Sequence, residues 1–193
     1  TDTIRYAKGE NVKTYHNIEP RLSARFLINE HSSIKAGYTQ NYQYIHLAAL
    51  SAVSLPTDIW VPSTEIVKPQ FGTQYSLGYF RNFKNNMFEF SVEGYYKEFE
   101  NQIEFKEASI PEDNINNNTD NNFAFGDGLS YGVEFFINKQ YGKFTGWIGY
   151  TLSKSTRQFD EINMGNVFPA KYDRTHDVSI VGMYEINKHI NVS

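Results

Sequence analysis

The ten residues FEFSVEGYYK, at positions 88–97, decide the fold class of this chain because apolar and polar side chains alternate along them. The even positions carry Phe, Phe, Val, Gly and Tyr, whereas the odd positions carry Glu, Ser, Glu, Tyr and Lys. Successive side chains of an extended strand point to opposite faces, so an apolar face here lies opposite a mostly polar one. The stretch therefore predicts a β-strand whose two faces meet different surroundings.

The same alternation recurs along most of the chain. Together with residues 88–97, the recurring segments predict about seven strands, with an eighth beginning near Ile190; they are 22–28, 34–39, 74–79, 131–138, 144–152 and 178–185. No segment shows the spacing of an amphipathic helix, and the best helical candidate is a short helix within residues 45–53. The predicted fold class is all-β, an antiparallel up-and-down meander.

The connectors between these strands alternate in length. Tight turns are predicted near 29–32, 82–86, 138–143 and 187–188, and long loops at about 41–72, 100–128 and 156–175. All the long loops would leave the same end of the sheet. Short turns at one end and long loops at the other are typical of an outer-membrane barrel, in which the long loops are extracellular. The alternative is a soluble β-sandwich, a ligand- or carbohydrate-binding module with an aromatic core.

Composition restricts the functional classes further. The chain has 193 residues, 40% of them hydrophobic and 16% aromatic, with a net charge of -4 and no cysteine. Disulfide scaffolds and thiolate metal sites are therefore excluded, and the negative charge argues against a nucleic-acid partner. A mean hydropathy of -0.54 excludes membrane-spanning helices but not a barrel, in which only every second residue faces lipid.

Several runs share more than the alternation. They begin at about residue 15 and continue nearly to the end, as IEPRLSAR (18–25), LPTDIWVPS (55–63), QYSLGYF (74–80), FSVEGYYK (90–97), GLSYGVEFF (128–136), GWIGYTLS (146–153) and KYDRTHD (171–177). In combination they resemble the barrel part of TonB-dependent outer-membrane receptors of the Bacteroidetes type.

This resemblance implies a position in the outer membrane and a role in nutrient uptake. Such receptors have roughly 22 strands around a plug domain, and they import scarce substrates with energy delivered through TonB. Residues 1–193 would form about eight strands of this larger transmembrane β-barrel, without the plug. The implied partners are outer-membrane lipid, the plug and the remaining strands, TonB through the missing part, and a small-molecule or glycan substrate.

The first long loop contains the candidate substrate-binding residues. Aromatic rings beside polar groups can stack on a sugar or on another ring-bearing ligand; the candidates are Tyr42, Tyr44, His46, Asp58 and Trp60. The alternative interpretation is that Trp60 and its neighbours pack the loop against itself.

The remaining polar clusters are interpreted as structural. The asparagine-rich stretch 114–122 lacks the glycine and glutamate of a calcium-binding loop. In the third loop, we expect an Arg–Asp network around Asp173, Arg174 and Asp177 to hold the loop where the next strand begins. The histidines are scattered and no nucleophile elbow is present, so we expect no catalytic residue, metal or cofactor.

Overall fold

A computed structural model describes residues 7–48, 59–106 and 119–193, and they form an antiparallel meander. The strands are β1 Arg21–Asn29, β2 Ser32–Gln43, β3 Ile45–Ala48, β4 Ile59–Pro62, β5 Gln70–Phe83, β6 Phe88–Phe105, β7 Phe123–Lys139, β8 Phe144–Phe159, β9 Phe168–Pro169, β10 His176–Asn187 and β11 Ile190–Val192. Within the described residues, one nine-stranded sheet has the order β1-β2-β5-β6-β7-β8-β10-β11, with β9 beside β8. The predicted fold class is confirmed.

The hairpin of β3 and β4 forms a separate two-stranded sheet between β2 and β5. The predicted helix within residues 45–53 is therefore wrong for its first part, because Ile45–Ala48 is a strand. Residues 49–53 lie outside the described part of the chain. Alternation of His46 and Ala48 with Ile45 and Leu47 places the two pairs on opposite faces, and this period of two is the strand signal.

The register of the large sheet separates apolar from polar side chains. One row of paired residues on the first face is Ala36, Leu77, Gly94, Val133 and Leu152. The row beside it on the other face is Lys35, Gly78, Glu93, Glu134 and Thr151. Because residues paired across a ladder share a face, the sheet has one apolar face and one polar face along its length.

The apolar face is open in the described part of the chain. Phe26, Leu77 and Ile180 remain 69%, 61% and 67% exposed, and the described residues provide no second layer over them. A β-sandwich would bury these side chains between two sheets. The structure therefore disagrees with the alternative of a soluble sandwich and agrees with the wall of a barrel. No helix among the described residues is long and apolar enough to cross a membrane.

Asparagine shapes the short connectors. In Asn29-Glu30-His31 and again in Asn187-Lys188-His189, the asparagine Oδ1 accepts a hydrogen bond from the histidine backbone N–H at 2.9 Å. These Asx turns reverse the chain within two residues. At the turn between β5 and β6, Lys84, Asn85 and Asn86 all have positive φ, a region that Asn tolerates better than most residues.

The buried core lies at the opposite end of the sheet, where the connectors are long. It consists of Ala48 and Val61 from the hairpin, Val67 before β5, Ile103 at the end of β6 and Phe123 at the start of β7. We call these five residues the loop core. Their position shows that the long connectors fold together, whereas the body of the sheet has no apolar interior of its own.

Candidate functional site

The β3–β4 hairpin presents two faces with different exposure. Leu47 pairs with Trp60 and Ile45 pairs with Pro62, and all four side chains are exposed. Trp60 is 67% exposed, Ile45 54% and Leu47 42%. We call these four residues the hairpin patch. A contiguous apolar surface with a central tryptophan is the kind of surface that recruits a ligand or a partner.

The opposite face of the hairpin is buried in the loop core. Val61 is 5% exposed and Ala48 3%, and both pack with Ile103 and Phe123. The Phe123 ring lies 5.1 Å from the ring of Phe105 on the paired strand. The core therefore holds the hairpin against the ends of β6 and β7 and presents the hairpin patch outward.

His46 belongs to this buried face. Its side chain has no exposed surface, its Nε2 lies 3.0 Å from Oγ of Ser63, and its Nδ1 has no hydrogen-bond partner. Burial lowers the pKa of His46 below the ordinary 6.5, because the charged imidazolium would lose its hydration. The residue is therefore neutral at pH 7. Its side chain lies inside the fold, on the buried face of the hairpin, and does not reach a ligand on the exposed face.

The stability of the hairpin is expected to fall in mild acid. Below pH 6.5 an opened hairpin binds a proton at His46, whereas the closed hairpin stays neutral until its lower pKa is reached. In that window, each unit of falling pH removes up to about 1.4 kcal/mol of local stability. Hydrogen-exchange protection of residues 45–48 and 59–62, corrected for intrinsic exchange, measures the effect.

The matched control is His46→Gln, which keeps a polar side chain but does not titrate. Its protection should depend much less on pH across the same range. An equally steep dependence in His46→Gln would assign the effect to another group.

Tyr42 and Tyr44 lie apart from the hairpin patch. Tyr42 is half-buried, with its ring 4.7 Å from that of Phe71, and its backbone N–H donates to Glu19 at 2.8 Å. Tyr44 is 38% exposed, and its hydroxyl accepts a hydrogen bond from Asn17 at 3.2 Å. These contacts attach the segment before β1 to the end of β2.

A concavity of about 270 Å³ lies beside Tyr42, and we call it the polar concavity because most of its lining residues carry a polar group. The segment before β1 and the residues preceding β5 form its walls; the lining residues are Lys13, Tyr15, Asn17, Tyr42, Glu65, Lys68, Pro69 and Asn101. Tyr15 donates its hydroxyl to the carbonyl of Thr64 at 2.6 Å, and Lys13 pairs with Glu65 at 3.3 Å. The concavity is therefore closed on one side by contacts between residues far apart in sequence.

Asn101 reaches this concavity because of a bulge in β6. The register between β6 and β7 shifts between Phe99 and Gln102, and Asn101 has a φ of 56°. Its Nδ2 donates to the carbonyl of Pro69 at 3.3 Å. Bulges re-aim side chains near sites, and Asn tolerates the left-handed conformation. An asparagine between two alternating segments was the available sequence signal, but a bulge cannot be located without the partner strand.

The structure thus separates the predicted binding residues. Trp60 lies on the hairpin patch, His46 on the buried face of the hairpin, and Tyr42 in the polar concavity, with Tyr44 between β2 and β3. Asp58 lies outside the described residues. Sequence reasoning missed the members of the loop core on β6 and β7 and the basic residues Lys13 and Lys68, because their proximity depends on pairing between distant strands.

The ends of the second and third long connectors are joined by ion pairs. Lys171 lies 2.7 Å from Glu104, and Lys106 lies 2.8 Å from Glu161. In the expected Arg–Asp cluster, Arg174 and Asp177 form an exposed pair at 3.6 Å, while Asp173 accepts the backbone N–H of Ser155 at 2.6 Å. Within the Arg–Asp cluster, the contact from Asp173 fixes the connector most directly, because an exposed ion pair such as Arg174–Asp177 contributes little. No group of His, Asp and Glu among the described residues is arranged to hold a metal.

Comparison with known proteins gave a family and a fold. A family model described as "TonB dependent receptor-like, beta-barrel" matches residues 2–179. The fold is similar to the receptor in the complex of FpvAI with pyocin S2, with a TM-score of 0.60 and 16% identity over 88% of this chain and 21% of that chain. It is equally similar to the outer-membrane ferripyoverdine receptor of Pseudomonas aeruginosa bound to ferripyoverdine, with a TM-score of 0.60 and 16% identity over 88% of this chain and 20% of that one.

The chain spans about a fifth of the length of the solved structures it matches. None of the curated proteins with which the sequence was compared matches it. At this identity the structural likeness concerns the fold, and the Bacteroidetes type expected from the sequence stays a prediction.

Proposed function

Because the chain belongs to the TonB-dependent receptor-like β-barrel family, we propose that it forms part of the barrel of an outer-membrane receptor that imports a scarce nutrient. Its family is a class of transport receptors rather than of enzymes, so we assign no catalytic residue. The plug domain, the remaining strands and the segment that contacts TonB belong to other parts of the receptor. TonB would supply the energy for import.

The open apolar face is the observation that carries this proposal. In water, a sheet with this many exposed Phe, Ile, Leu and Val side chains would aggregate. Against lipid, the same surface is stable, provided that every backbone group of the strands is paired within a closed barrel. The row of Tyr38, Tyr75, Tyr96 and Tyr131 then lies at a membrane interface, where an apolar ring with a polar hydroxyl is favoured.

The orientation follows from the connectors. The two-residue Asx turns fit the periplasmic side, and the long connectors with the loop core fit the extracellular side. The polar face, with Lys35, Glu93 and Glu134, would then line the lumen and meet the plug. This places the hairpin patch and the polar concavity at the outer surface, where a nutrient first arrives.

We assign substrate capture to the hairpin patch with Trp60 at its centre. An exposed indole can stack on a sugar ring or on a flat aromatic group of a small molecule. The solved ferripyoverdine receptor is bound to ferripyoverdine, and this supports a small-molecule substrate. A glycan remains equally compatible with a tryptophan surface, so the substrate class is a small molecule or a glycan.

Deletion of the full-length receptor gene in the producing bacterium tests the proposed function. Growth on one scarce nutrient from a panel of iron chelates, corrinoids, peptides and glycans should be lost, and loss of TonB should have the same effect. Unchanged growth of both strains on every member of the panel would contradict the proposal.

Replacement of Trp60 by Ala should weaken capture of that nutrient. Loss of a central tryptophan at a binding surface costs about 1.4–2 kcal/mol, which corresponds to roughly ten- to thirty-fold weaker binding. Binding of the labelled nutrient to cells measures it. The control is Tyr172→Ala, because Tyr172 is 68% exposed at the same end of the sheet but on another connector. An equal loss of nutrient binding in the two variants would contradict the assignment of capture to the hairpin patch.

A further inference from the structure

The apolar face of the sheet has a groove at Gly94. In the row Leu77–Gly94–Val133–Leu152, the glycine is flanked by large apolar side chains on both neighbouring strands. An added Cβ at Gly94 would meet nothing closer than two carbonyl oxygens at 3.9 Å. The missing side chain therefore leaves space on the side of the sheet that faces away from the polar row.

The groove is large and apolar. Its volume is about 730 Å³. Its apolar wall is formed by side chains of four successive strands; they are Tyr75, Leu77, Tyr96, Tyr131, Val133 and Leu152. On the opposite face, the hydroxyl of Tyr95 lies 2.9 Å from where a Cβ of Gly132 would stand, so that side of the sheet is filled. The opening is thus toward lipid and not toward the lumen.

Among the described residues that line the groove, the one cation is Lys154, at the rim nearest the long connectors. Lys154 pairs with Tyr131 across the β7–β8 ladder and so continues the row of tyrosines that marks the interface. It is exposed, and no carboxylate in the described residues forms an ion pair with it. On the β6 side of the same rim, Glu98 accepts the hydroxyl of Tyr96 at 3.3 Å. The rim is therefore positive on the β8 side and negative on the β6 side.

We propose that this groove binds one lipid of the outer leaflet, a phosphorylated glycolipid, with an acyl chain over Gly94 and its phosphate at Lys154. The apolar walls match an acyl chain, the tyrosine row sets the depth of the headgroup, and the ammonium group complements a phosphate. Assignment to the outer leaflet rests on the proposed orientation of the receptor, with the long connectors outward. Bound lipid would fill the groove and cover the apolar side chains of β5 to β8 that line it.

Native mass spectrometry of the purified full-length receptor tests the proposal, with lipid A, dephosphorylated lipid A and phosphatidylethanolamine as probes. The wild type should retain one lipid A. Gly94→Leu, which the open space accommodates, should reduce retention by at least about ten-fold through loss of the buried chain. Lys154→Gln should lower retention of lipid A several-fold and leave retention of the dephosphorylated form unchanged.

Matched controls come from the same face. Ala36→Leu adds the same side chain in the same row but outside the groove, and Arg81→Gln removes an exposed cation at the other end of β5. Both should retain lipid A as the wild type does. If Gly94→Leu does not fold, Val133→Phe narrows the groove from β7 and serves instead.

Several results would overturn the proposal. They are full retention in the folded groove variants, equal loss in the two controls, preference for phosphatidylethanolamine, or displacement of lipid A by inorganic phosphate. Retention is measured on the purified receptor without its nutrient. A negative result for the lipid site would therefore not count against nutrient uptake, and the two proposals can be distinguished.

Discussion

Replacement of Gly146 by Ala is expected to prevent assembly of the receptor in the outer membrane. Gly146 lies near the start of β8 with a φ of 143°, between β7 and β10. A Cβ there would overlap the carbonyl oxygen of Val181 and stand 2.9 Å from the Cα of Gly182. Both are backbone atoms of β10, so no side-chain rotation can relieve the clash.

The cost has two parts. The positive φ alone costs about 1–3 kcal/mol for a residue with a side chain. In addition, relief of the clash requires β8 and β10 to separate, which breaks the pairs of Thr145 with Met183 and of Phe144 with Tyr184. Unpaired backbone groups at membrane depth cost several kcal/mol each. We therefore expect the barrel to remain open at this seam and the protein to be degraded.

Heat-modifiable migration on gels and the amount of receptor in the outer membrane measure this effect. The matched control is Gly149→Ala, three residues further along β8, where a Cβ would meet only the ring of Trp147 at 3.6 Å. That variant should assemble normally. Normal assembly of Gly146→Ala, or an equal defect in the control, would show that the close approach of β8 and β10 is not required.

Replacement of Phe123 by Ala is expected to release the β3–β4 hairpin while leaving the pairing of the large sheet intact. Phe123 is 1% exposed and belongs to the loop core, whose other members come from the hairpin, from the segment before β5 and from β6. Large-to-small changes at such a site cost about 3–5 kcal/mol, because both the buried surface and the filled volume are lost. The loop core lies beyond the long body of the sheet, so strand pairing in the membrane should persist.

The expected signature combines a structural and a functional change. Amide exchange of residues 45–48 and 59–62 should accelerate strongly, and nutrient binding should weaken, since the hairpin patch is no longer held in place. Heat-modifiable migration should stay normal. Phe125→Ala is the control on the same strand, because Phe125 is 38% exposed and its removal should cost far less. Unchanged exchange in Phe123→Ala would contradict the role assigned to the loop core.

The strand pattern was readable from the sequence because the surroundings of this sheet impose a period of two. Each side chain of residues 88–97 lies on one of the two faces of the sheet, so the alternation in FEFSVEGYYK predicts the face of each residue. The two Asn-x-His turns are equally local, since the asparagine bonds to a backbone group two residues away. The predicted helix within residues 45–53 failed because a short apolar run is ambiguous between helix and strand.

The candidate site could be predicted only in part. Trp60 could be chosen as a candidate from the sequence, because it is a tryptophan in a long predicted loop. The burial of His46 was not visible, because it depends on the packing of its face of the hairpin, through Ala48 and Val61, against β6 and β7. The polar concavity likewise joins Lys13 with Asn101, residues brought together by the bulge in β6 and by the position of the segment before β1.

The sequence by itself determined most strands of the large sheet and their apolar and polar faces, because these depend on residue i and its immediate neighbours along the chain. The class of the protein followed from the resemblance of several runs spread over the whole sequence. Tertiary structure alone decided which glycines approach a backbone, which leave a groove, and which loop residues are buried. Gly94 and Gly146 are both glycines inside long strands. An added Cβ would meet open space at Gly94 but the carbonyl oxygen of Val181 at Gly146. That difference arises from the register of the neighbouring strands, which no local pattern contains.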